Sequence, residues 1–79
     1  MKPVYDAFTM RQVKLGDELR SIERGDTVRV VEMGETWLGE PTVWLEPVNL
    51  REAIAPFRGL LLPNDETGSF FLSMYTAAS

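Results

Sequence analysis

The stretch Gly25-Asp26-Thr27-Val28-Arg29-Val30-Val31-Glu32-Met33-Gly34-Glu35 decides the fold class. Gly25-Asp26 is a turn signal, because glycine tolerates a left-handed backbone and aspartate hydrogen-bonds nearby amides. The run over 27–33 is rich in β-branched side chains, which suit a pleated, half-buried surface, and Gly34-Glu35 offers the next turn. Upstream, Gly16-Asp17-Glu18-Leu19-Arg20-Ser21-Ile22 repeats the arrangement of a Gly-Asp turn before a short apolar, arginine-bearing run. That spacing predicts successive strands of an all-β meander.

Downstream, Pro41-Thr42-Val43-Trp44-Leu45-Glu46-Pro47 reads as a strand bounded by prolines, which cannot donate to a ladder. Period two puts Val43 and Leu45 on one face and Trp44 on the other. Asn49-Leu50-Arg51-Glu52 has the form of a capping box and predicts a short helix over 50–55, ended by Pro56. A strand over 59–63, a turn at Asn64-Asp65-Glu66-Thr67-Gly68 and a strand over 69–76 complete the pattern. No charged side chain occurs after Glu66, so the final strand is expected either at the centre of a sheet or paired with another chain. The first fifteen residues read as an extended segment and a loop that ends at Gly16.

These elements fit one small domain across the 79 residues. The expected architecture is mainly β, a small barrel or sandwich of about five strands with one short helix. A domain this small must bury most of its aromatic side chains. Phe8, Phe57, Phe70 and Phe71 are therefore expected in the core, while Trp37 and Trp44 are either core or displayed.

The chain contains no histidine and no cysteine. That removes the usual general base at neutral pH, the thiolate nucleophile and the commonest metal ligands. The adjacent acids Asp17-Glu18 and Asp65-Glu66 sit beside glycine in turns, where carboxylates cap backbone amides, and no calcium-loop spacing surrounds them. The segment over 34–39 lacks the lysine and glycine density of a phosphate loop. Arg24-Gly25-Asp26 reads as a turn. The expectation is a non-catalytic protein without cofactor or metal. With no signal-peptide pattern near Met1 and no apolar run long enough to span a bilayer, it is expected to be soluble and cytoplasmic.

Charge is unevenly distributed. The formal net charge is -4, and Glu32, Glu35, Glu40 and Glu46 all fall between Arg29 and Arg51, where no basic residue occurs. Such a field repels phosphate backbones and attracts basic partners.

Tyr5-Asp6-Ala7-Phe8, Asp17-Glu18-Leu19, Gly25-Asp26 before a strand, Trp37-Leu38-Gly39 and Gly59-Leu60-Leu61-Leu62-Pro63 follow one another in an order that resembles the SH3 family. The resemblance implies an SH3-like barrel that binds an extended, proline-rich peptide. Tyr5, Phe8, Trp37 and Pro63 would line its groove, and Asp17 and Glu18 would meet a flanking arginine. Gly25-Asp26-Thr27-Val28-Arg29-Val30 with Gly34 and Gly39 also resembles the KOW motif. In that motif nucleic-acid contact generally calls for lysine and arginine, whereas the equivalent loops here are acidic.

The functional expectation is a protein-binding module. Its acidic, tryptophan-bearing surface, with Trp37, Trp44, Glu32, Glu35, Glu40 and Glu46, would dock a basic or extended segment of a partner protein, with Tyr5, Asp17 and Glu18 as further contacts. Direct nucleic-acid or membrane binding is not expected. Two alternatives stand beside it. One is a small phage-type inhibitor that blocks a nucleic-acid-binding protein by acidic mimicry. The other is a structural subunit that assembles as a homo-oligomer through the strand carrying Phe70, Phe71 and Tyr75.

Overall fold

The computed structural model describes residues 2–48 and 55–77. They form β1 (Val4–Asp6), β2 (Glu18–Ser21), β3 (Thr27–Glu35), β4 (Pro41–Pro47), β5 (Phe57–Arg58), β6 (Leu61–Asn64), β7 (Ser69–Leu72) and β8 (Tyr75–Ala77). One sheet has the order β1-β7-β6 and the other the order β5-β4-β3-β2-β8. All pairings are antiparallel except that of β1 with β7, which is parallel. The result is an open two-sheet β fold and not a closed barrel.

The mainly β class holds, but the strand number rises from about five to eight among the described residues. The expected single strand over 69–76 accounts for part of the difference. It breaks at Ser73-Met74, where Met74 adopts φ 74°, and the chain passes from the three-stranded sheet to the edge of the five-stranded one. The break is pinned from both sides: the Ser73 amide donates to the Leu60 carbonyl at 2.9 Å, and the Ile22 amide donates to the Met74 carbonyl at 3.0 Å. The helix expected over 50–55 falls on residues 50–54 outside the described set, and Ala55 is not helical. Among the described residues there is no helix, hence none long and apolar enough to cross a membrane.

Alternation along β2, β3 and β4 builds the core. Leu19, Val28, Val30, Val43 and Leu45 are buried on the inner face of the larger sheet, facing Val4, Phe70 and Leu72 of the smaller. Val13, from the segment that follows β1, closes one side, and Met33, Phe57, Leu61 and Tyr75 pack around the rim. Gly59 allows the sheets to approach here. A Cβ at that position would stand 2.7 Å from Leu72 Cδ1 and 3.3 Å from Leu45 Cδ1.

Placement of the phenylalanines departs from expectation in two cases. Phe70 is buried and Phe57 is half-buried against the core, whereas Phe71, expected in the core, is half-buried on the outer face of its sheet, because successive side chains of β7 point to opposite faces. Phe8, expected in the core, is 64% exposed. It lies in the turn just after β1, where the Phe8 amide is bound to the Asp6 carboxylate at 2.8 Å, so the backbone reverses before the side chain can reach the interior.

Candidate protein-binding surface

The β3–β4 hairpin carries the acidic third of the chain. Its turn is not at Gly34-Glu35, as the sequence suggested, but at residues 36–39, because β3 runs on to Glu35. The Thr36 amide donates to the Glu40 carbonyl at 2.8 Å, and the Gly39 amide donates to the Thr36 carbonyl at 2.9 Å. Gly39 supplies the left-handed backbone at φ 80° that this closure needs. The Thr36 hydroxyl then accepts the amides of Leu38 and Glu40, each at 3.3 Å. These bonds close the turn on itself, and Trp37 and Leu38 point away from the protein, at 92% and 64% exposure.

Below the tip, register fixes which glutamates share a face. A β-bulge between Val30 and Glu32 leaves Val31 without a directly opposed partner, so Val30 faces Leu45 while Glu32 faces Trp44. The bulge is what keeps Glu32 out of the core. Unbroken alternation from Val28 and Val30 would turn Glu32 inward, whereas the extra residue turns Met33 inward opposite the buried Val43. Glu35 stands opposite Pro41, and Glu40 opens the returning strand side of the turn.

Trp44 is half-buried on the outer face, flanked by Glu32 of β3 and Arg58 of β5. Glu46 stands opposite Arg29, and Arg29 Nη2 also meets Glu18 Oε1 at 3.1 Å. The acidic gap of the linear sequence is therefore interrupted in space. Arg29 and Arg58 flank its lower half, while Glu35 and Glu40 stand on either side of the Trp37 turn in its upper half.

The remaining expected contacts lie elsewhere. Tyr5 lines a shallow cleft with Pro3, Met10 and Phe71 on the three-stranded sheet. Asp17 and Glu18 border a polar cleft with Arg11, Gln12 and Lys14 on the other side of β1. There Asp17 accepts the Lys14 amide at 2.9 Å, the turn-capping role expected of an acid beside glycine. Phe8 lines a third cleft with Ile22 and Leu62, and Pro63 lies exposed on β6. The groove that an SH3 resemblance implies from Tyr5, Phe8, Trp37 and Pro63 is thus distributed over separate places.

Asp6 is a residue whose weight the sequence did not reveal. It is 1% exposed, and its carboxylate accepts hydrogen bonds from the Phe8 amide, the Thr9 hydroxyl, the Thr76 hydroxyl and the Ala77 amide. Burial pushes its pKa up, but these four donors outweigh it and hold the carboxyl below the usual aspartate range. The Asp6-x-x-Thr9 spacing was the one local signal, since it suits a side-chain-capped turn. Every oxygen of this group is occupied by the fold, so its role is structural. Among the described residues no group of three or more acidic side chains is placed to hold a metal ion.

Compared with known proteins, the chain matches no family model, no curated sequence and no solved structure.

Proposed function

We propose that this protein is a protein-binding module whose anchor is the tip of the β3–β4 hairpin. The observation that carries the reading is Trp37, a large aromatic at 92% exposure on a turn whose own hydrogen bonds are closed. Displaying an indole to water gains the monomer nothing, and tryptophan is among the residues that most often anchor interfaces. A turn held by Thr36 and Gly39 presents it with little conformational entropy left to lose on binding. Leu38 beside it and Glu40 at the start of the returning strand suit an apolar pocket with a basic rim on the partner. Trp44, half-buried lower on the hairpin, supports the platform more than it reaches outward.

The alternative of acidic mimicry calls for an uninterrupted negative surface. Arg29 beside Glu46 and Glu18, and Arg58 beside Trp44, favour a local anchor instead.

The test is affinity capture from extract of the source organism on immobilised wild-type chain, in parallel with Trp37→Ala and Glu40→Gln variants of unchanged circular dichroism. A protein recovered by wild type should be lost with Trp37→Ala and weakened with the glutamine variant. Recovery that is indifferent to Trp37 would refute the reading. Capture that collapses in moderate salt and competes with DNA would favour mimicry.

A further inference from the structure

A second surface is independent of the hairpin. On the outer face of the three-stranded sheet, register places Tyr5 opposite Phe71 and Phe71 opposite Leu62, so three large apolar side chains form one row across β1, β7 and β6. Phe8, Met10, Ile22 and Met74 rise around this row, each at least 40% exposed. Phe71 separates two shallow clefts of about 270 and 330 Å³. Among the described residues, the only charged side chain lining either of them is Glu23.

We infer that this face is the contact of a two-fold symmetric dimer, in which a second copy of the chain covers the Tyr5–Phe71–Leu62 row. Area is the first argument. The exposed fractions of these side chains correspond to on the order of 500 Å² of apolar surface, at the upper end of what a monomer normally displays in one patch. Doubled, and with a polar rim added, it reaches the roughly 1,200–2,000 Å² of a stable interface.

Charge is the second argument. A chain of net charge -4 repels its own copies, and the repulsion is least where two nearly uncharged faces meet. Shape is the third. A two-fold contact needs projecting groups beside recesses on the same patch. Phe8 and Met10 project at 64% and 60% exposure, each beside a cleft of a size to receive one such side chain from the mate. Methionines suit this use because their unbranched side chains adapt to irregular surfaces.

The geometry also separates this contact from strand addition. β7 is flanked by β1 and β6 and has no free edge. The outer edge of β6 carries Pro63, which has no amide to donate. Association therefore occurs face to face.

Sedimentation velocity on the full chain, from about 1 to about 300 µM, tests the proposal, because an interface of this size commonly dissociates within that range. The expected result is a rise from the monomer mass that stops at twice its value. Phe8→Glu and Leu62→Lys should each raise the dissociation constant about 30-fold or more, while circular dichroism shows the fold retained. Having two exposed sites guards against one variant failing to fold. Trp37→Ala should dimerise as wild type does. A chain that stays monomeric throughout, assembly that grows beyond the dimer, or association abolished by Trp37→Ala but not by the face variants would each overturn it.

Discussion

Asp6 Oδ2 accepts the amide hydrogen of Ala77 at 2.7 Å, joining residues 71 positions apart. The same oxygen takes the hydroxyls of Thr9 at 2.7 Å and Thr76 at 3.0 Å, while Oδ1 takes the Phe8 amide at 2.8 Å. One buried carboxylate thus closes the turn at residues 7–10 and ties β8, the edge of one sheet, to β1, the edge of the other.

Acid should therefore unfold this protein through Asp6. Its carboxyl titrates below the usual range in the folded chain and near ~3.9 in the unfolded one. A group with a depressed folded pKa contributes stability that is full above the unfolded value and is lost as pH falls through the folded value. The urea midpoint should hold steady from neutral pH to about 5 and fall below about 4. Asp6→Asn should lose about 2–4 kcal/mol at neutral pH, because a buried amide group then faces donors it cannot accept, and its acid limb should be flatter. Equal acid slopes for wild type and variant would remove Asp6 from this role.

The two tryptophans should report different environments. Trp37 is 92% exposed and Trp44 half-buried, so Trp44→Phe should leave red-shifted emission fully quenched by acrylamide, and Trp37→Phe should leave bluer, protected emission. Trp37→Ala should change unfolding free energy by no more than about 0.5 kcal/mol, as for surface positions generally. A cost of several kcal/mol would place Trp37 in the core and remove the anchor.

Close approach of the sheets should show at Gly59. An alanine Cβ would lie 2.7 Å from Leu72 Cδ1, and Leu72 and Leu45 are both fully buried, so the displaced methyl has no free space to enter. Gly59→Ala should cost about 1–3 kcal/mol. In a Leu72→Val background the same change should cost less. Equal cost in both backgrounds would show that the strain lies in the backbone instead.

Local patterns carried most of what was legible in the sequence. β4 matches its proline-bounded run from Pro41 to Pro47, and the alternation that buries Val43 and Leu45 while turning Trp44 outward follows from period two. What stayed hidden depends on contacts between distant segments. The acidic gap is continuous along the chain, but pairing of β3 with β4 sets Arg29 opposite Glu46, and pairing of β4 with β5 sets Arg58 opposite Trp44. Phe8 looked like core because a small domain needs its aromatics, yet the Asp6 cap turns the chain before it can enter. The break at Met74 separates two apolar runs that composition alone joins.

The bulge at Val31 was illegible for a similar reason: Val30-Val31-Glu32 reads as plain strand, and only the partner's register shows that one residue is extra. It makes a prediction of its own. Removing Val31 should leave Val30 opposite Leu45 and Glu32 opposite Trp44, now with unbroken alternation, so core contacts on both sides of the deletion survive. The deletion variant should fold with stability within about 1 kcal/mol of wild type, unlike most single-residue deletions in a strand, which reverse every side chain beyond them. Cross-strand contacts of Met33 with Val43 in nuclear Overhauser spectra should persist, while the tip changes direction relative to the larger sheet, because bulges add local bend and twist. If the deletion instead unfolds the chain, the inward placement of Met33 depends on the bulge's geometry and not on parity alone.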